Sequence, residues 1–155
     1  MAIVASLMKT EMVTVSPDDT VAAAARLMSQ NKVGAVLVVA GGAAQGLFSE
    51  RDLLTRVVAA GNDPAKLRVS EVASSPVISV ERGAHVRECV ELLRAKKIRH
   101  VAVVEGGKPV GILSARDFLD VIVEEFEKLV DKSQYDAVVA SGADPYDHIG
   151  GSYGR

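Results

Sequence analysis

The 155-residue chain has no tryptophan, three phenylalanines, three tyrosines and one cysteine. A lone cysteine cannot form an internal disulfide, so the fold rests on non-covalent packing and suits a reducing compartment. Cys89 falls on the apolar side of a helical pattern, which reads as a buried thiol rather than a reactive one. So few aromatics leave no stacking surface for nucleic acid. A net charge of −2 gives no general attraction to polyanions or to an anionic membrane. No apolar run reaches the roughly 18 residues of a membrane span. The start, Met1-Ala2-Ile3-Val4, lacks the basic head and apolar core of a signal peptide. A cytoplasmic protein is expected. Chemistry-bearing motifs are also missing. There is no Gly-x-x-x-x-Gly-Lys-Ser/Thr phosphate loop. His85, His100, His148 and Cys89 have no metal-ligand spacing, and no nucleophile–base–acid set is visible.

What is present is a duplication. Shifted by 65 positions, residues 5–54 align without a gap on 70–119, and fourteen of the fifty positions are identical. Gly46-Leu47-Phe48-Ser49-Glu50-Arg51-Asp52 falls on Gly111-Ile112-Leu113-Ser114-Ala115-Arg116-Asp117. The period exceeds the roughly 20 to 50 residues of solenoid units, so it marks a duplicated half-domain. Each copy reads as β-α-β-β-α. The first strand is Met12–Val15 or Val77–Val80. The helix carries Val21, Ala24, Ala25 and Met28, or Val86, Cys89, Val90 and Leu93, at the i, i+3, i+4, i+7 spacing of one buried stripe. A Val-rich strand follows, Val36–Val39 or Val101–Val104. Gly41-Gly42 or Gly106-Gly107 supplies the positive φ of a tight hairpin. The next strand is Gln45–Phe48 or Val110–Leu113, and a second helix starts near Ser49 or Ser114. One half alone would expose an apolar sheet face, and two can cover each other.

Residues 1–62 make the first repeat, with the segment 60–66 as linker. Residues 63–132 make the second, whose last helix runs on from about Ala115 to Asp131. Its apolar stripe, from Phe118 and Leu119 through Ile122, Val123 and Phe126 to Leu129 and Val130, is broad. It fits either a homodimer contact or packing on the chain's own core. The tail 133–155 has no periodicity and is expected to be flexible.

The candidate chemistry sits where a strand meets a helix: Gly, two apolar residues, Ser, two residues, Asp. The glycine permits close backbone approach. The serine lies at a helix start, where free N–H groups attract anions. The aspartate one turn on can accept hydrogen bonds from a vicinal diol, as an acidic residue does for ribose in dinucleotide folds. Arg51 and Arg116 can meet phosphate by a bidentate fork. The competing reading is a capping box with no ligand. Such boxes prefer Glu or Gln at the third position, and Ser, Arg and Asp survive together in both copies, which favours a site.

These features together resemble a pair of CBS domains, a Bateman module, over about residues 3–128. The resemblance implies an α/β (α+β) fold, with the two repeats packed sheet to sheet about a pseudo-twofold axis and two clefts between them. It implies an adenosine-containing ligand: AMP, ADP or ATP, with S-adenosylmethionine or an NAD-type molecule as the alternative. Asp52 and Asp117 would hold ribose, and Ser49, Ser114, Arg51 and Arg116 the phosphate. Val13, Thr14, Leu47, Ile78, Ser79 and Ile112 would line the adenine pocket. Arg99 and His100 also match the family's phosphate-reaching residues, whereas the first copy has Gly34 and Ala35 there. Two unequal clefts are therefore expected, although spacing leaves open which aspartate faces Arg99 and His100. The functional expectation is a stand-alone regulatory module that signals nucleotide occupancy to an effector protein. It would be a homodimer with no resident metal and no catalysis. An interaction module with empty clefts and an enzyme acting on a nucleotide are the rivals.

Overall fold

The computed structural model describes residues 2–129 and 132–144. Each repeat builds one three-stranded sheet. In the first, β1 (Thr14–Val15) lies parallel to β2 (Ala35–Ala40), and β2 pairs antiparallel with β3 (Ala43–Ser49). A parallel pair needs a crossover, and α1 (Val21–Asn31) supplies it. Beyond β3 comes a short helical turn, α2 (Glu50–Asp52), continued by a π-helical stretch, Leu53–Val58. A second short helix, α3 (Val69–Val72), precedes the second repeat. There β4 (Ser79–Glu81), α4 (Val86–Lys96), β5 (His100–Glu105) and β6 (Lys108–Ser114) repeat the order and the pairing. The last helices are α5 (Asp117–Leu129) and α6 (Lys132–Ala140). Both sheets belong to a compact unit ending at Asp117, and a second unit begins at Phe118.

Local chemistry accounts for these elements. Val21, Ala24 and Met28 form the buried stripe of α1, and the Thr20 hydroxyl accepts the Ala23 N–H at 3.2 Å as its cap. On α4 the buried members are Cys89 and Leu93. Burial pushes the Cys89 thiol pKa upward, as expected of an inert packing residue. Both hairpins turn on two glycines with positive φ, +60° and +78° at Gly41-Gly42 and +57° and +80° at Gly106-Gly107. β2 is buried from Ala35 to Val38, which explains its unbroken apolar run.

The two repeats exchange their leading segments. Val69 and Val72 of α3 precede the second sheet in the chain, yet they are buried in the core of the first, with Val36, Val38, Phe48 and Val57. Ser74 and Leu47 of β3 exchange backbone hydrogen bonds at 2.9 and 3.0 Å. Conversely, Lys9 and Ile112 of β6 exchange bonds at 3.0 and 3.0 Å, and the Val4 N–H donates to the Ala84 carbonyl. Helix starts are served in the same crossed fashion. The Val21 N–H donates to the Leu67 carbonyl, and the Val86 N–H, 65 positions on, donates to the Ala2 carbonyl. These reciprocal contacts, with β3 beside β6, express the expected pseudo-twofold arrangement.

Several expectations need adjusting. The first strands are shorter than read and begin at Thr14 and Ser79. α3 adds a helical turn, Val69–Val72, ahead of the first strand of the second repeat. α5 starts at Asp117 rather than Ala115. Helix α6 forms where an irregular tail is expected, because residues 132–140 contain neither Gly nor Pro and include good helix formers. The rest of that tail, 145–155, and Val130 and Asp131 lie outside the described residues. Along α5, Leu119, Ile122 and Val123 are exposed.

Candidate functional site

The first strand-to-helix junction forms a capping box, as the ligand-free reading requires, and the second shares the half in which the aspartate accepts from the serine. The Asp52 Oδ2 atom accepts the Ser49 N–H at 2.9 Å and the Ser49 hydroxyl at 2.8 Å. Asp117 Oδ2 accepts the equivalent Ser114 groups at 2.6 and 2.8 Å. Only one carboxylate oxygen is used this way. The other, Oδ1, has different partners in each copy. Asp52 Oδ1 is 3.3 Å from the Ser74 hydroxyl and 3.5 Å from Arg56. Asp117 Oδ1 is 3.1 Å from the Lys9 ammonium. Both carboxylates are nine-tenths buried. The box and a ligand site are thus compatible, one on each oxygen.

The motif glycines have a definite reason. A Cβ on Gly46 would stand 2.9 Å from the Ser74 carbonyl oxygen. On Gly111 it would stand 2.8 Å from the Lys9 carbonyl oxygen. The close approach is that of the exchanged segment, whose residues 74 and 9 carry the partners of Asp52 and Asp117.

Each aspartate opens onto a cleft between the repeats. The Asp52 cleft, about 230 Å³, is lined by Leu47, Ser49, Arg51, Arg56, Ser74 and Ile78, and by Ile98, Arg99 and His100 from across the axis. The Asp117 cleft, about 150 Å³, is lined by Ile112, Ser114, Arg116, Lys9, Glu11 and Val13, and by Val33, Gly34 and Ala35 from across the axis. A shift of 65 carries most of one lining onto the other, Arg56 being without a counterpart. Arg99 and His100 therefore face Asp52 in the place where Gly34 and Ala35 face Asp117, although both also reach the border of the second cleft. Burial lowers the His100 pKa, and the neighbouring Arg99 charge pushes the same way against Glu50 and Asp117.

The charge balance differs as well. The Asp52 cleft sets three arginines, Arg51, Arg56 and Arg99, against one carboxylate. The Asp117 cleft sets Lys9, Lys32, Arg99 and Arg116 against Glu11, Glu50 and Asp117. Arg51 also donates to the Lys97 carbonyl at 3.0 Å, which ties it to the left-handed C-cap of α4. Thr14 and Ser79 line neither cleft and are exposed. Neighbours in an extended chain point to opposite faces, so with Val13 and Ile78 turned inward these two turn away. Lys9, Ser74 and Arg56 were not singled out from sequence. The 65-residue shift pairs Lys9 with Ser74, but nothing local connects either to an aspartate more than twenty residues away. Among the described residues no cluster of three His, Cys, Asp or Glu could hold a metal ion, and no helix is long and apolar enough to cross a membrane.

A CBS domain family profile matches twice, at residues 4–59 and 69–124. The chain belongs to the CBS-domain family. The CBS domain-containing protein YhcV of Bacillus subtilis is 35% identical over 117 residues, which is 76% of this chain and 83% of that one. CBS domain protein PAE2072 from Pyrobaculum aerophilum, solved in complex with AMP, is 32% identical with a TM-score of 0.70. That match covers 75% of this chain and 89% of the other. A hexameric CBS-CP12 protein from bloom-forming cyanobacteria is 26% identical with a TM-score of 0.74, over 94% and 90% of the two chains.

Proposed function

We propose that this CBS pair is a regulatory module that binds an adenine nucleotide, AMP, ADP or ATP, in the Asp52 cleft and reports occupancy to an effector protein. The observation that carries this reading is the Asp52 carboxylate. One oxygen is fixed by the capping box, and the other faces a cleft furnished with three arginines. In this reading Asp52 Oδ1 accepts the ribose hydroxyls in place of its long contacts to Ser74 and Arg56. Arg99 meets the phosphate with charge-assisted hydrogen bonds, with His100, Ser49 and Arg51 beside it. Leu47 and Ile78 supply apolar contact to the base. Three arginines favour phosphate over the sulfonium of S-adenosylmethionine. The AMP complex of the Pyrobaculum relative supports the same ligand class. The signal is a population shift between arrangements of the repeats, and requires the ligand to bind one arrangement better. Nothing in the cleft asks for catalysis. The exposed Leu119, Ile122 and Val123 of α5 support self-association, with a homodimer as the simplest form.

The test is thermal unfolding against a nucleotide panel. Ligand at 100 times its dissociation constant adds about 2.7 kcal/mol, or roughly 5–10 °C in Tm for a chain of this size. Asp52→Asn keeps an acceptor for the capping box but weakens the diol site. It should lower AMP affinity at least tenfold with little change in ligand-free Tm. No stabilisation by any nucleotide would favour an interaction module with empty clefts.

A further inference from the structure

We propose that Lys9 closes the Asp117 cleft to nucleosides, so that the chain binds one nucleotide rather than two. The inference rests on the reading of Asp52 as a ribose site. The backbone around the two aspartates is equivalent. Lys9 is bridged to Ile112 as Ser74 is bridged to Leu47, with all four bonds between 2.9 and 3.0 Å. Gly111 and Gly46 let these segments lie against the sheet at the same close distance. The side chains at positions 9 and 74 therefore start from matching points, and each ends on the Oδ1 atom of its aspartate.

Their chemistry then diverges. The Ser74 hydroxyl is neutral, makes one long bond of 3.3 Å to Asp52 Oδ1, and can itself accept a hydrogen bond from an incoming diol. The Lys9 ammonium has three donors and no acceptor. At 3.1 Å it neutralises the carboxylate that a diol would need. Asp52 does have Arg56 nearby, but that guanidinium gives its shorter bond, 2.7 Å, to the Val72 carbonyl and reaches Asp52 only at 3.5 Å. Lys9 also lines the Asp117 cleft, with its side chain largely exposed at the rim. Next to it, Glu11 takes the place that Pro76 has in the other cleft and opposes a phosphate.

The stoichiometry of AMP binding, read by calorimetric titration, tests this. Wild type should bind one equivalent. Lys9→Ser, which copies position 74, should bind two, the second at least tenfold tighter than any residual wild-type binding at that cleft. Lys9→Arg, with a cation on the same bridge, should stay at one. Asp117→Ala added to Lys9→Ser should return it to one. Two equivalents in wild type, or one in both wild type and Lys9→Ser, overturn the role of Lys9 and leave the Asp52 site standing. One equivalent in Lys9→Ser with none in wild type supports Lys9 and overturns the Asp52 site. No binding to either protein overturns both.

Discussion

At the scale of single residues, His100 couples the junction of the two clefts to pH. Burial holds its folded pKa below the ordinary value of about 6.5. In the window between the two values the unfolded chain binds more protons than the folded protein, so stability rises with pH. It falls as pH drops through about 6.5 towards the lowered value. Thermal unfolding at pH 7.5 and 5.5 should give the lower Tm at pH 5.5, and His100→Asn should narrow the gap. An equal gap in the variant would assign the pH dependence to other groups. The aspartates make a related point, since each divides its two oxygens between a helix start and a cleft. A motif that can be read as either a cap or a site here uses one carboxylate oxygen at the helix start and leaves the other outside it.

At the scale of elements, the exchanged segments depend on Gly46 and Gly111. An added methyl at either would lie 2.8–2.9 Å from a backbone carbonyl, which is too close to relax without moving the segment. Gly46→Ala and Gly111→Ala should each cost about 1–3 kcal/mol in urea unfolding, as overpacking does. Gly83→Ala, with nothing within 4 Å of the added atom, is the control and should change little. A loss confined to the first two would confirm steric contact over lost chain flexibility. The legibility of the fold follows the same division. The stripes of α1 and α4, the double-glycine hairpins and the two motifs are local patterns, so they can be read from sequence. Residues 3–9 and 69–74 have only weak local patterns, such as Glu71 accepting the Arg68 N–H at the start of α3. Their placement is set by the sheet of the opposite repeat, so α3 and the contacts of Lys9 and Ser74 with the aspartates are not legible in the sequence. Val13 and Ile78 line the clefts, while Thr14 and Ser79, one residue on, do not. The extended segments were recognised but not which face turned inward.

At the scale of the whole molecule, the exposed apolar residues of α5 bear on assembly. Leu119, Ile122 and Val123 are each more than half exposed in the single chain, which is unusual for contiguous large apolar side chains. Light scattering should find a mass above that of one 16.3 kDa chain. Leu119→Glu with Ile122→Glu should return it to the single-chain value without unfolding the sheets. A wild-type mass of one chain would leave α5 without this role. The exchange of leading segments has a consequence for how such a molecule can be divided. The first half does not own all the atoms of its own core: Val69 and Val72 lie in sequence with the second sheet and in space with the first. A single half would be left seeking its missing segment from another copy. The linker at 60–66 supplies that segment at the effective concentration of a tether, so an encounter between two molecules becomes a step within one.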